Sequence, residues 1–104
     1  MKTWLGNWWP CLPALLILIS LAAGPRHGYA MTQDIEQVSG QRLGPGTLYG
    51  AIARLEARKW IEPLPAEDRR RPYRLTGAGQ KVLRARLESL RTVAKIGHSR
   101  LVEN

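Results

Sequence analysis

The chain has a single cysteine, Cys11, so it holds no disulfide as a monomer and no Cys-rich zinc finger. Two histidines, His27 and His98, leave little for any other metal site, and neither a metal nor a cofactor is expected. Acidic residues are scarce: eight Asp+Glu stand against sixteen Lys+Arg, for a formal charge of +8 and a pI near 10.6. No Ser/His/Asp, Cys/His or paired-carboxylate set is visible, and no Gly-rich phosphate loop follows a strand. An enzyme is therefore not expected. The longest apolar run, Cys11 to Ala23, has 13 residues, short of the ~20 that span a bilayer. The chain has neither internal repeats nor a low-complexity tract.

What remains is 104 residues, 44% hydrophobic and 23% charged, the composition of one folded domain. A small and strongly basic domain points to a polyanion, nucleic acid or a membrane surface. The charge is uneven. Residues 1–53 carry Lys2, Arg26 and Arg42 against Asp34 and Glu36, whereas residues 54–100 carry thirteen Lys/Arg against five acids. The run Arg69-Arg70-Arg71 sits in that basic half.

The run CLPALLILISLAA predicts a helix from Pro13 through Leu21 that stops at Gly24-Pro25. A short helix apolar all round belongs in a core. The alternative, a secretory signal or membrane anchor over residues 1–23, is opposed by Pro10 and Pro13, by Trp4, Trp8 and Trp9, and by the single positive charge in front. Cys11 is read as a small buried hydrophobe. A second helix opens at His27-Gly28, with Tyr29, Met31, Ile35 and Val38 as its apolar face and His27 as a turn or capping residue, and it ends at Ser39-Gly40. A third helix spans 45–59, with Pro45 at its first position. Its buried stripe is Leu48, Ala51, Ile52 and Leu55, leaving Tyr49 off that stripe and exposed.

The pattern then changes. Trp60 to Leu64 and Arg71 to Leu75 read as two strands of a hairpin, with Pro63 and Pro72 holding the pair at a sheet edge. Trp60 closes the core beside the hairpin, and Tyr73 packs within it. Thr76 caps a last helix, whose first turn Gly77 and Gly79 weaken. Leu83, Leu87, Leu90, Ala94 and Leu101 form a heptad-like seam suited to a partner helix.

The expected fold is mainly α with a small β-hairpin: a winged helix-turn-helix plus a C-terminal dimerisation helix. Residues 1–12 form an extension, 13–75 the winged helix-turn-helix and 76–104 the dimerisation helix. In this arrangement the second helix of the pair enters the major groove and the hairpin rests on phosphates. Gly46, Gly50 and Ala53 leave room for close approach, Thr47, Tyr49 and Arg54 supply contacts, and Arg69, Arg70 and Arg71 charge the wing tip.

Four segments in order resemble the PadR family of bacterial transcriptional regulators. Gly24-Pro25-Arg26-His27-Gly28-Tyr29 is similar to the opening of that family's second helix, and Leu43-Gly44-Pro45-Gly46-Thr47-Leu48-Tyr49 to its recognition-helix signature. Arg54-Leu55-Glu56 with Trp60-Ile61-Glu62 resembles the helix-to-wing junction. Asp68 through Thr76, with Gly79, resembles the wing and the start of the final helix. The likeness covers about residues 14–95. It implies a DNA-binding regulator, usually a repressor, working on double-stranded operator DNA as a cytoplasmic homodimer, with Thr47 and Tyr49 on the DNA backbone. It also implies a small aromatic or drug-like effector near the dimer interface. Trp4, Trp8 and Trp9 are candidates to line its pocket, against the alternative of packing or partner contact. Ala30 stands where the family often has glutamate, and the Trp-rich start is unusual for it. A winged helix that binds proteins instead of DNA is the remaining alternative.

Overall fold

A computed structural model of the chain describes residues 12–103. Its first element, α1 (Leu12–Ala22), has no polar face, so the rest of the domain must cover it on every side. Leu15, Leu16, Ile17, Leu18 and Leu21 are buried, and α1 packs against two further helices, the central strand and the start of the last helix. Each such Leu or Ile removed from water is worth about 2 kcal/mol. Cys11 and the three N-terminal tryptophans lie outside the described residues.

Gly24, at φ +149°, turns the chain out of α1 in a conformation that glycine adopts without a Cβ penalty. There follows a strand with no sequence signal of its own, β1 (Arg26–His27). It pairs antiparallel with β3 (Pro72–Leu75), in register Arg26↔Tyr73 and His27↔Pro72. β2 (Ile61–Pro63) pairs on the other side of β3, with Ile61↔Leu75, Glu62↔Arg74 and Pro63↔Tyr73. The sheet therefore has three strands in the order β1-β3-β2, not the two of a hairpin. This corrects the expectation that both prolines lie at an edge. Pro72 begins the central strand, where only the first residue can forgo a ladder N–H, and its carbonyl accepts the Leu64 N–H at 2.8 Å.

α2 (Gly28–Ser39) starts on His27 as N-cap and ends at Gly40, whose φ of +75° lets its N–H return to the Glu36 carbonyl. It buries Met31 and Ile35. Tyr29 and Val38, expected on the same face, are 63% and 59% exposed. At about 100° per residue Tyr29 points roughly 160° away from Met31. Val38 keeps the buried azimuth, but it sits in the last turn, where no described element covers it. α3 (Pro45–Ala57) has Gly44 as N-cap and Pro45 in its first turn, and it buries Leu48, Ala51, Ile52 and Leu55.

Two non-glycine residues with positive φ, Asp68 (47°) and Arg69 (66°), make the tip joining β2 to β3. Glu67 and Arg70 exchange both backbone hydrogen bonds across it, at 2.7 and 2.8 Å. Two consecutive left-handed residues inside such a pair are the signature of a type I′ turn, whose twist matches that of the flanking strands.

α4 (Gly77–Glu103) is capped by Thr76, whose Oγ1 accepts the Gly79 N–H at 3.0 Å and donates to the Lys59 carbonyl at 2.8 Å. Gly79 is buried, and a Cβ at that position would run into the Trp60 carbonyl oxygen and lie 2.8 Å from a Leu75 methyl, so only glycine fits there. Leu83 enters the domain core at 6% exposure, and Leu90 is partly buried. Beyond Leu90 the helix runs free of the described domain, and the structure reaches 55 Å along its longest axis.

Replacing Gly79 by Ala is expected to destabilise the domain by about 2 kcal/mol, because backbone and not a flexible side chain blocks the new methyl. Gly77→Ala, with open space around it, is expected to cost nothing, since Ala is the better helix former. Urea denaturation of the two variants checks the contrast.

Candidate nucleic-acid interface

With Leu48, Ala51, Ile52 and Leu55 turned inward, helical geometry decides what α3 shows to solvent. Gly46, Gly50 and Ala53 lie opposite the buried stripe. Thr47 and Arg54 flank them on one side and Tyr49 on the other, at about 100° per residue. Thr47, Tyr49, Ala53 and Arg54 are exposed, and Tyr49 is 54% so, as its place off the stripe predicted. A ridge of small residues between polar shoulders lets a helix backbone come close to another surface while the shoulders make contacts.

The wing stands beside this face, and its three arginines are not equivalent. Arg71 Nη1 donates to the Leu64 carbonyl at 2.9 Å, which ties that side chain to the opposite strand. Arg70 Nη1 lies 3.4 Å from His27 Nε2. Arg69, at the turn, has no side-chain partner among the described residues. On the body of the wing, Arg74 pairs with Glu62 across the strands, a solvent-exposed pair of small energetic weight.

Between wing and helices lies a cleft of about 290 Å³. Its floor is Gly28, its walls are Tyr29, Tyr49 and Tyr73, and the three wing arginines and His27 close it. No carboxylate lines it. Tyr49 folds over Gly28 so closely that a Cβ there would lie 2.9 Å from Cζ. Tyr29 accepts a hydrogen bond from Gln33 Nε2 at 3.4 Å. Burial raises the Tyr73 phenol above its ordinary value; Glu56 adds to this and Arg71 opposes it. Tyr73 therefore keeps its proton at neutral pH. Trp60 sits half-buried at the junction of α3 and β2, with the Arg58 guanidinium 5.1 Å from its ring centre.

The structure brings Tyr49, Arg69, Arg70 and Arg71 around one cleft, while Thr47, Gly50 and Arg54 lie along the outer face of α3. Sequence reading had missed two members of the cleft, Tyr29 and His27. The signal for Tyr29 was present in its azimuth, off the Met31–Ile35 line. For His27 no local signal existed, because its partner Arg70 is 43 residues away. Of the seam residues, Leu83 is taken into the chain's own core, whereas Leu87, Ala94 and Leu101 are exposed, the last at 73%.

A helix-turn-helix, a cationic β-wing beside it and a small-residue helix face together make a winged helix-turn-helix, a fold used by transcriptional regulators. The family model described as "Transcriptional regulator PadR-like family" matches residues 17–85, and the chain belongs to that family. It is 54% identical over 76 residues to an uncharacterized 37.1 kDa protein in transposon TN4556 of Streptomyces fradiae. That match takes in 73% of this chain and 22% of the longer protein, so the chain spans about a fifth of that relative's length. Among solved structures, a transcriptional regulator from Clostridium thermocellum superposes with a TM-score of 0.79 at 27% identity, covering 89% of this chain and 96% of that one. A PadR family transcription regulator from Clostridium difficile shares the fold at a TM-score of 0.77 and 24% identity, over 86% and 97% of the two chains. RosR of H. salinarum gives 0.69 at 26% identity, over 81% and 74%. No helix of the described residues is long and apolar enough to cross a membrane.

Gly28→Ala is expected to displace the Tyr49 ring from the cleft and shift its NMR resonances. Because the ring is exposed and free to swing, stability is expected to change by less than about 1 kcal/mol. An unmoved Tyr49 ring would show that the contact with Gly28 does not hold it.

Proposed function

We propose that the protein is a homodimeric repressor that occupies a two-fold-related operator in duplex DNA and acts in the cytoplasm. α3 lies in the major groove with Gly50 against the base edges, Thr47 and Tyr49 against the backbone, and Arg54 reaching either. The wing sets Arg69, Arg70 and Arg71 on phosphates. The observation that carries this reading is the carboxylate-free cleft, in which three wing arginines and three tyrosines meet beside the outer face of α3. Residues 13–75 are the DNA-binding unit and 76–104 the dimerising one, while 1–12 form an extension. The exposed apolar residues of α4 support the pairing: Leu87, Val93, Ile96, Leu101 and Val102 all lie in water in the single chain. Leu87, Leu90, Ala94 and Leu101 form the seam, with Leu83 left to the core. A small aromatic effector acts at that interface.

Four arginine contacts to phosphate per protomer, from Arg54, Arg69, Arg70 and Arg71, give a log–log salt slope of roughly −3.6 per protomer. Arg70→Ala is expected to flatten the slope by about one and to weaken binding to all duplexes alike. Fluorescence anisotropy on labelled duplexes reads both. A folded protein that ignores duplex DNA at low ionic strength would end this reading.

The double variant Leu87→Glu, Leu101→Glu is expected to sediment as a monomer at micromolar concentration, because it places like charges along the seam. A wild-type protein that already sediments as a monomer at that concentration would remove the dimer from the mechanism.

A further inference from the structure

His27 is engaged at both ring nitrogens. Nδ1 accepts the Ala30 backbone N–H at 3.4 Å, as the N-cap of α2. Nε2 lies 3.4 Å from Arg70 Nη1 at the base of the wing tip. A neutral imidazole offers one acceptor nitrogen only, and the other carries the hydrogen. With Nδ1 accepting, the hydrogen is on Nε2. The Nε2–H and the Arg70 guanidinium are then two donors that meet without an acceptor between them. The opposite tautomer satisfies Arg70 but sets Nδ1–H against the Ala30 N–H, so it moves the conflict to the start of α2 without removing it.

A single group that accepts from each donor would satisfy both and hold them together. His27 and Arg70 border two spaces: the cleft, which no carboxylate lines, and a hollow that Glu67 and Asp68 also line. Neither of those acids makes a side-chain hydrogen bond or ion pair with His27 or Arg70 among the described residues. The side of the pair that faces the cleft is the one left open to an acceptor from outside the chain. The geometry points to one non-bridging phosphodiester oxygen of bound DNA, held jointly by His27 Nε2–H and Arg70. This rests on the DNA-binding reading above and adds to it a neutral, tautomer-defined ligand that no motif or charge count marks. It also gives His27 two tasks at once: Nδ1 starts α2, and Nε2 locks the wing to the same DNA strand. Free of DNA, the repulsion between the two donors leaves Arg70 loosely held; with a phosphate between them, wing and α2 become one rigid clamp.

The test separates the two tasks. Asn and Ser are good N-caps, and neither reaches the wing, so His27→Asn and His27→Ser keep the first task and lose the second. Both are expected to melt within a few degrees of wild type and to bind duplex DNA about tenfold more weakly, the worth of one hydrogen bond to a charged acceptor. Their salt slope is expected to stay at the wild-type value, because a neutral imidazole releases no counterion, whereas Arg70→Ala lowers affinity and slope together. Duplexes carrying a single neutral methylphosphonate linkage, moved along each strand, are expected to reveal one linkage per half-site whose neutralisation weakens wild type more than it weakens His27→Asn, in which Arg70 alone still holds that phosphate. If folded His27→Asn and His27→Ser bind as wild type does, or if every linkage affects wild type and variant alike, His27 is only a cap and the inference fails while DNA binding stands. If wild type itself does not bind duplex DNA, both fall together.

Discussion

The domain depends on the burial of one helix that has no polar side. α1 brings Leu15, Leu16, Ile17, Leu18 and Leu21 into the core, and it cannot sit at a surface. The other elements are arranged by the need to cover it. α2 and α3 pack against it with one stripe each, Met31 and Ile35 from one, Leu48, Ala51, Ile52 and Leu55 from the other. β3 crosses it, and α4 contributes Leu83 before leaving the domain. Because each covering helix spends one face on α1, its opposite face is turned to solvent. Arg54, Thr47 and Tyr49 are exposed for the same reason that Leu48 and Ile52 are not.

A second constraint sets the wing against the helices. Thr76 bonds to the Lys59 carbonyl through its side chain and to the Trp60 carbonyl through its backbone N–H, and the absent side chain of Gly79 lets α4 approach that same carbonyl. These contacts fix where β3 ends and α4 begins. On the far side, β1 pairs with β3 and carries His27 to the wing base. The wing is thus a three-stranded sheet anchored at both edges rather than a free hairpin. An anchored wing holds its arginines at a defined height above α3, which a charge count alone does not provide.

Much of this was legible beforehand. Pro13, Pro45 and Thr76 marked helix starts, and Gly24 and Gly40 marked ends, because backbone restrictions of Pro and Gly act within a few residues. The stripe on α3 came from periodicity. The failures share one cause. β1 is two residues long, too short for any alternation, and exists only because β3 is beside it. Pro72 was placed at an edge because proline disfavours a central strand, yet the first residue of a strand is exempt. Tyr29 was counted as core from its apolar ring, against its own azimuth. Leu83 was grouped with the seam by spacing, but the domain reaches just far enough along α4 to claim it.

The residues alone determined the family, the order of the helices, the inward stripe of α3 and the basic character of the second half. All of these rest on interactions within about a turn of helix or on summed charge. Only the folded chain decided that β3 is central, that His27 meets Arg70 across 43 residues of sequence, and that three tyrosines and three arginines share one cleft. Such juxtapositions arise when the burial of α1 brings distant segments together, and no local pattern encodes a distance between side chains that meet only then.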